Sequence, residues 1–334
     1  MQSSGGTGPE VSAILETQGL IKRYGDLVAV DGVDLAVRPG EIFGFLGPNG
    51  AGKSTTIKIL STLLKPTAGK AWLAGFDVAT QPDRVRQSIG LVFQDPSLDN
   101  RLTAEENLRF HGMLYGVPKP TFAGRMAAVL EMVDLADRKK DLVSTFSGGM
   151  KRRLEIARGL LHEPKVLFLD EPTVGLDPQT RIAIWEHVRR LRAESGVTVF
   201  MTTHYMDEAE NCDRIAILDH GKLQALDTPE VLKQGLGGDT VVVAGDAELE
   251  ADLAARYGVA VRATNGSFHF QMARAAEFVP KVVADFPDRI KAISVKQPSL
   301  DDVFLSLTGR AIREEEVSAR DRMRQMARAW GRGR

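Results

Sequence analysis

The octapeptide Gly47-Pro48-Asn49-Gly50-Ala51-Gly52-Lys53-Ser54 combines three glycines with a lysine and a hydroxyl at the spacing of a phosphate-binding loop. Glycines let the backbone bend so that successive N–H groups point at phosphate oxygens, and a following helix turns its positive end toward the same anion. Lys53 is placed to reach the β- and γ-phosphates of a nucleoside triphosphate, and the Ser54 hydroxyl to ligate Mg²⁺. Farther on, Val166-Leu167-Phe168-Leu169-Asp170-Glu171 is an apolar run closed by two acids. Asp170 is placed to bind the metal directly or through water, and Glu171 to orient or deprotonate an attacking water. A second anion-binding pattern lies in Phe146-Ser147-Gly148-Gly149-Met150, where Ser147, Gly148 and Gly149 open a helical stretch through Leu154, Ile156, Ala157 and Leu160.

These groups need rigid elements behind them. The run Glu41 to Leu46 reads as a strand feeding the first glycine loop, and Thr55 to Leu60 as the helix leaving it. From about 13 to 224, β-rich runs alternate with helical patterns, as in a core built on a largely parallel sheet. Residues of about 96–160 read as a helical insertion, with Thr103 and Glu106 as a capping box opening a helix through Leu108, Phe110 and Leu114. Beyond 225 the order strand, helix, strand, strand, helix, strand suggests a small ferredoxin-like domain to about 310, with a hairpin turn at Asn265-Gly266. Leu300, Val303, Phe304 and Leu307 share a helical face that packs on that domain or on a second copy of the chain.

Both ends differ in composition. Residues 1–12, rich in Gly and Ser, read as a disordered leader. In 311–334, Glu314, Glu315 and Glu316 precede Arg320, Arg322, Arg324 and Arg328. That pattern fits either a frayed, solvated tail or a basic amphipathic helix on an anionic membrane surface or a partner.

At 334 residues the chain can hold one large or two ordinary domains, and a hydrophobic content of 43% with 26% charged residues is that of a globular protein. No apolar run approaches the roughly 18 residues of a membrane span, and the N-terminus lacks a charged-then-apolar export signal. The expectation is a chain that neither crosses a membrane nor is exported by that route. A net charge of −1 supplies no global field for nucleic acid. Cys212 is the single cysteine, so no internal disulfide forms, and its neighbours Ile215, Ala216 and Ile217 suit a buried core thiol.

A phosphate loop, a strand ending in Asp170-Glu171 and a Ser-Gly-Gly helix start, in this order, make residues 13–224 resemble the ATP-binding cassette (ABC) ATPases. The implied fold is an α/β P-loop cassette, with a mixed sheet core plus a helical subdomain, followed by the α+β domain. The implied cofactors are ATP and Mg²⁺. By the same resemblance Tyr24 stacks on adenine, Gln94 senses γ-phosphate and Mg²⁺, Asp177 belongs to the loop crossing a dimer interface, and His204 is the switch histidine at the γ-phosphate. Ser147, Gly148 and Gly149 would close over ATP held by residues Gly47 to Thr55 of a second copy, so a head-to-tail homodimer is implied. Phe146 and Met150 replace the commoner Leu and Gln of this signature, a variant that resembles drug- and lipid-type exporters. The stretch Pro298 to Gly309 resembles the ending of daunorubicin-resistance-type exporter ATPases. The family further implies separately encoded integral membrane permease subunits, a peripheral place on the cytoplasmic side of the membrane, and no nucleic-acid partner. Two other readings stand beside it: a soluble ABC ATPase acting on nucleic acid or ribosomes, disfavoured by a single phosphate loop without long coiled coils, and an ATPase regulated by a ligand on residues 225–310.

Overall fold

A computed structural model describes residues 13–309, apart from residues 96, 247, 265, 266, 273, 274 and 288. The leader, the tail and the Asn265-Gly266 turn therefore lie outside the described residues. The chain divides after Leu226 into two compact units.

In the first unit β1 (Leu15–Tyr24) and β2 (Leu27–Val37) lead into β3 (Ile42–Leu46), α1 (Lys53–Leu60), β4 (Ala68–Leu73), β5 (Phe76–Asp77), α2 (Pro82–Gln87) and β6 (Ile89–Val92). Three helices follow, α3 (Ala104–Leu114), α4 (Lys119–Met132) and α5 (Gly148–Leu160). The unit closes with β7 (Val166–Asp170), α6 (Pro178–Ser195), β8 (Thr198–Thr203), α7 (Met206–Ala209), β9 (Arg214–Asp219) and β10 (Lys222–Asp227). Six strands form one sheet in the order β10-β9-β3-β8-β7-β6, in which β9, β3, β8, β7 and β6 run parallel. Such strands are covered on both faces, which is why β3, β7 and β8 are buried end to end. Phe43, Phe45 and Phe168 each pack on Phe200 with ring centroids 5.3–5.4 Å apart. A second, antiparallel sheet, β2-β1-β4-β5, shares this core through Leu15, Leu20, Val30 and Leu73. Cys212 is buried, which pushes its thiol pKa up and keeps it protonated.

The register decides where the chemistry falls. Leu46 pairs with Thr203 and Asp170 with Thr202, so β3, β8 and β7 end side by side at their carboxyl termini. In open α/β sheets that edge is where ligands bind.

Helix α3 starts with the capping box of Thr103 and Glu106. The apolar residues named along it are only partly covered. Leu108 is buried, but Phe110 and Leu114 are exposed together with Met113, on one i, i+3, i+4 face.

The second unit contains α8 (Pro229–Gln234), β11 (Asp239–Gly245), α9 (Leu249–Tyr257), β12 (Arg262–Thr264), β13 (Ser267–Met272), α10 (Ala275–Asp285), β14 (Ile290–Lys296) and α11 (Leu300–Thr308). Its sheet runs β12-β13-β11-β14, antiparallel throughout, the split βαβ arrangement of a ferredoxin-like fold. Alternation puts Val241, Val243, Phe268 and Phe270 on the face packed against Leu249, Leu253 and Val282. Helix α11 buries Leu300, Val303 and Phe304 and packs on α8, while Leu307 is left exposed.

Candidate functional site

Lys53 is the first residue of α1 and is only 4% exposed. Its Nζ donates to the carbonyls of Gly47 at 2.6 Å and Pro48 at 3.1 Å and stands 3.3 Å from Glu171 Oε1. These partners offset the cost of burying an ammonium. Gly52, the residue before the helix, sits at φ 103°, and an added Cβ would lie 2.3 Å from the carbonyl oxygen of Ala29. Only glycine allows that approach. Ala51 is buried with its N–H on the Pro48 carbonyl, whereas Asn49 and Gly50 form the exposed tip. The first turn of α1 presents the N–H groups of Ser54 and Thr55 at the positive end of the helix, the arrangement that receives an anion.

Ser54 Oγ donates to Asp170 Oδ1 at 3.3 Å, and Thr202 Oγ1 donates to the same oxygen at 2.6 Å. A hydroxyl and a carboxylate from facing elements are the hard oxygen donors that Mg²⁺ selects. They fit that ion beside a polyphosphate bound at the α1 N-terminus.

Glu171, next along the chain, is 8% exposed and has φ 47°, a left-handed conformation that costs a glutamate about 1–3 kcal/mol unless its surroundings enforce it. Part of that enforcement is its N–H, shared between Thr202 Oγ1 at 3.0 Å and the Thr202 carbonyl at 3.2 Å. Its Oε1 faces both Lys53 and His204 Nδ1, each at 3.3 Å. Burial raises the carboxyl pKa, but the His204 hydrogen bond and the Lys53 charge outweigh it, and the net shift is downward. Glu171 is therefore an ionised proton acceptor at neutral pH. His204 follows β8; its neighbour Thr203 donates to Glu208 Oε2 at 2.7 Å and accepts from the Tyr205 N–H at 2.9 Å, which fixes the turn.

The other expected site residues do not join this cluster through direct contacts of the same kind. Tyr24 is half exposed at the end of β1, with Lys22 Nζ 5.2 Å from its ring centroid. Gln94 is exposed on the segment after β6. Ser147 caps α5 by accepting the Met150 N–H at 3.3 Å, so Gly148 and Gly149 occupy its first turn. Asp177 caps α6, accepting from Thr180 N–H at 3.0 Å and Thr180 Oγ1 at 2.6 Å. Gly149 abuts Thr180 and Gly148 abuts Leu176, so the two caps form a second cluster. One chain thus carries a phosphate-loop cluster and, apart from it, a glycine-opened helix start with an adjacent aspartate.

Sequence reasoning missed Thr202, Arg152 and Glu155. Thr202 was signalled by a hydroxyl beside Thr203 at the carboxyl end of a buried strand. Arg152 and Glu155 looked like ordinary helix-surface charges, yet both are buried on α5 and joined by a 3.1 Å ion pair. Arg152 donates to the carbonyls of Phe93, Asp170, Glu171 and Pro172.

The sequence profile of the family described as ABC transporter matches residues 30–174. The chain is 41% identical over 312 residues to the linearmycin resistance ATP-binding protein LnrL of Bacillus subtilis (strain 168), covering 90% of this chain and 100% of that protein. It is 42% identical over 305 residues to the daunorubicin/doxorubicin resistance ATP-binding protein DrrA of Streptomyces peucetius, covering 88% and 92%. Among solved structures it is similar to a dimeric ATP-binding cassette in a post-hydrolysis state bound to ADP and Pi, with a TM-score of 0.57 and 29% identity over 64% of this chain and 98% of that one. With a phosphate loop, a carboxylate-ended strand and the parallel sheet that aligns them, and with relatives matched along nearly their whole length, this chain belongs to the ABC transporter family and is one of its ATP-hydrolysing cassettes.

Proposed function

We propose that the chain is the ATPase subunit of an exporter for a drug, lipid or natural product, working as a homodimer beneath a separate membrane permease. The observation that carries this reading is the convergence of Lys53, Ser54, Asp170, Glu171 and His204 at one sheet edge, apart from the Ser147-capped helix start. Each half lacks what the other supplies. A second copy, turned head to tail, brings Ser147, Gly148 and Gly149 over the nucleotide held by Gly47 to Thr55, with Asp177 at the seam and Tyr24 against the adenine. Ser54 and Asp170 would hold Mg²⁺, with Gln94 as a further candidate ligand, and the bound ion would supply neutralisation of the phosphate charge.

In the closed dimer Lys53 trades its loop carbonyls for phosphate oxygens. Glu171 takes a proton from water as the water oxygen attacks the γ-phosphorus and the bond to the ADP oxygen breaks. His204, 3.3 Å from Glu171, holds the carboxylate and the transferred phosphoryl group in line. The separating products repel each other, and reopening of the dimer moves the permease.

No helix among the described residues is long and apolar enough to cross a membrane; in this reading the passage for cargo belongs to the permease. The exposed face of Phe110, Met113 and Leu114 on α3 suits a cytoplasmic segment of that permease, since contiguous exposed apolar side chains mark interaction surfaces. The chain then lies peripherally on the cytoplasmic side. The names of the resistance proteins it resembles support a drug-like cargo. Lys53→Ala tests the nucleotide assignment: it removes the charge facing the phosphates and is expected to abolish most ATP affinity or turnover. Unchanged ATPase activity in the purified variant would refute it.

A further inference from the structure

Arg152 and Glu155 lie one turn apart on α5, 6% and 2% exposed. The Arg152 guanidinium donates Nε–H to the Pro172 carbonyl at 2.7 Å, Nη2 to those of Asp170 and Glu171 at 3.1 Å, and Nη1 to that of Phe93 at 2.5 Å and to Glu155 Oε2 at 3.1 Å. The other Glu155 oxygen accepts the Ser97 N–H at 2.7 Å. Three consecutive carbonyls around Glu171 are thus fixed by one side chain. The segment carrying Gln94 is held at both ends, at Phe93 by Arg152 and at Ser97 by Glu155. The helix that carries this pair begins at Ser147, Gly148 and Gly149.

A buried ion pair is often no more stabilising than apolar residues of the same volume, so stability alone gives a weak reason for this one. Its partners give a better one: every backbone group it grips belongs to the segment bearing the water-activating carboxylate or to the segment bearing Gln94. Glu171 sits in a left-handed conformation that must be enforced, and the carbonyls of Asp170 and Glu171 bracket the strained residue.

We propose that Arg152 and Glu155 are a positioning pair for ATP hydrolysis. They transmit the placement of the glycine-opened end of α5 to Glu171 and to the Gln94 segment, so that water activation is completed when a second copy's nucleotide engages Ser147. The inference rests on the assignment of Glu171 as the water-activating group. Arginine suits the task because its rigid fork reaches several acceptors at once, which the single ammonium of a lysine cannot reproduce. The pair touches no phosphate-loop residue, so it acts on the rate of hydrolysis rather than on nucleotide capture.

The test uses the full chain with Arg152→Met, Arg152→Lys, Glu155→Gln and, as reference, Glu171→Gln. Steady-state ATPase assays give kcat and KM, a fluorescent ATP analogue gives nucleotide affinity, and thermal melting reports folding. A misplacement of about 1 Å at a reacting group costs up to about a hundredfold in rate. Arg152→Met is therefore expected to lower kcat about tenfold to a hundredfold with affinity changed less than about threefold. Arg152→Lys should fall between it and the unaltered chain, and Glu155→Gln should lower kcat with affinity kept. If Arg152→Met does not fold, the Arg152→Lys and Glu155→Gln proteins carry the same comparison. Unaltered kcat in the folded variants beside an inactive Glu171→Gln would overturn the positioning pair alone, as would equal losses of affinity and kcat. Full turnover in Glu171→Gln would overturn the underlying assignment instead.

Discussion

Gly50 and Gly52 stand two residues apart in the same loop, both at positive φ, yet a methyl group added to each meets different surroundings. At Gly50, φ 86°, the added Cβ faces open space; at Gly52, φ 103°, it would lie 2.3 Å from the Ala29 carbonyl oxygen, about 1 Å inside ordinary contact. Both alanines bear backbone strain of about 1–3 kcal/mol. Both also stiffen the unfolded chain, a gain of about 0.4–1 kcal/mol that cancels between them. Only Gly52→Ala must in addition push a strand carbonyl of β2 away from the helix start, and such overpacking costs about 1–3 kcal/mol. Gly52→Ala is thus expected to be the less stable by about 1–3 kcal/mol. At about 2–4 °C per kcal/mol for a unit of this size, the difference in Tm is easily resolved by calorimetry. ATP affinity should follow the same order, because moving Gly52 displaces Lys53 and the N–H groups behind it. Equal melting temperatures and equal affinities for the two variants would refute the claim that the loop is pinned against β2.

Ser147→Arg places a long cation at the cap of α5; single-site ATP binding by calorimetry is expected to persist while ATP-dependent dimerisation is lost, and retained dimerisation would contradict the proposed seam. In the second unit, hydrogen bonds from Arg289 hold Asp246 at a pKa of about 2, and those from Arg256 and Tyr257 hold Asp285 at about 2, against an ordinary 3.8. Depressed carboxyl pKa values stabilise the fold above about pH 4, and that stabilisation is lost as pH falls toward about 2. Arg289→Gln should therefore raise the Asp246 midpoint, followed by carboxyl-carbon NMR, and move acid unfolding of this unit to higher pH; an unmoved midpoint would contradict the pairing.

Much of the ATP-binding region was legible in the chain because its chemistry is local. A loop that cradles phosphate needs glycines, lysine and a hydroxyl within a few residues, and a strand that holds a carboxylate at a sheet edge is a short apolar run ending in acid. The order strand, helix, strand, strand, helix, strand beyond 225 likewise matches the second unit's sheet, in which Val241, Val243, Phe268 and Phe270 share a face. What stayed hidden depends on tertiary pairing. Nothing in the spacing of Arg152 and Glu155 tells a solvated i, i+3 pair from one buried against four carbonyls. Leu108, Phe110 and Leu114 marked the helix as apolar, yet apolar side chains along a helix do not show which of them this chain covers. Thr202 acquires its role because β7 and β8 are in register, which places its hydroxyl between Asp170 and the Glu171 N–H.

Light scattering on Glu171→Gln protein saturated with ATP and Mg²⁺ tests the two-chain site most directly. Removing the ionised acceptor should leave nucleotide bound but unhydrolysed, and the 36.5 kDa chain is then expected to appear at twice that mass. A sample that binds the nucleotide and stays at the mass of one chain would contradict the account.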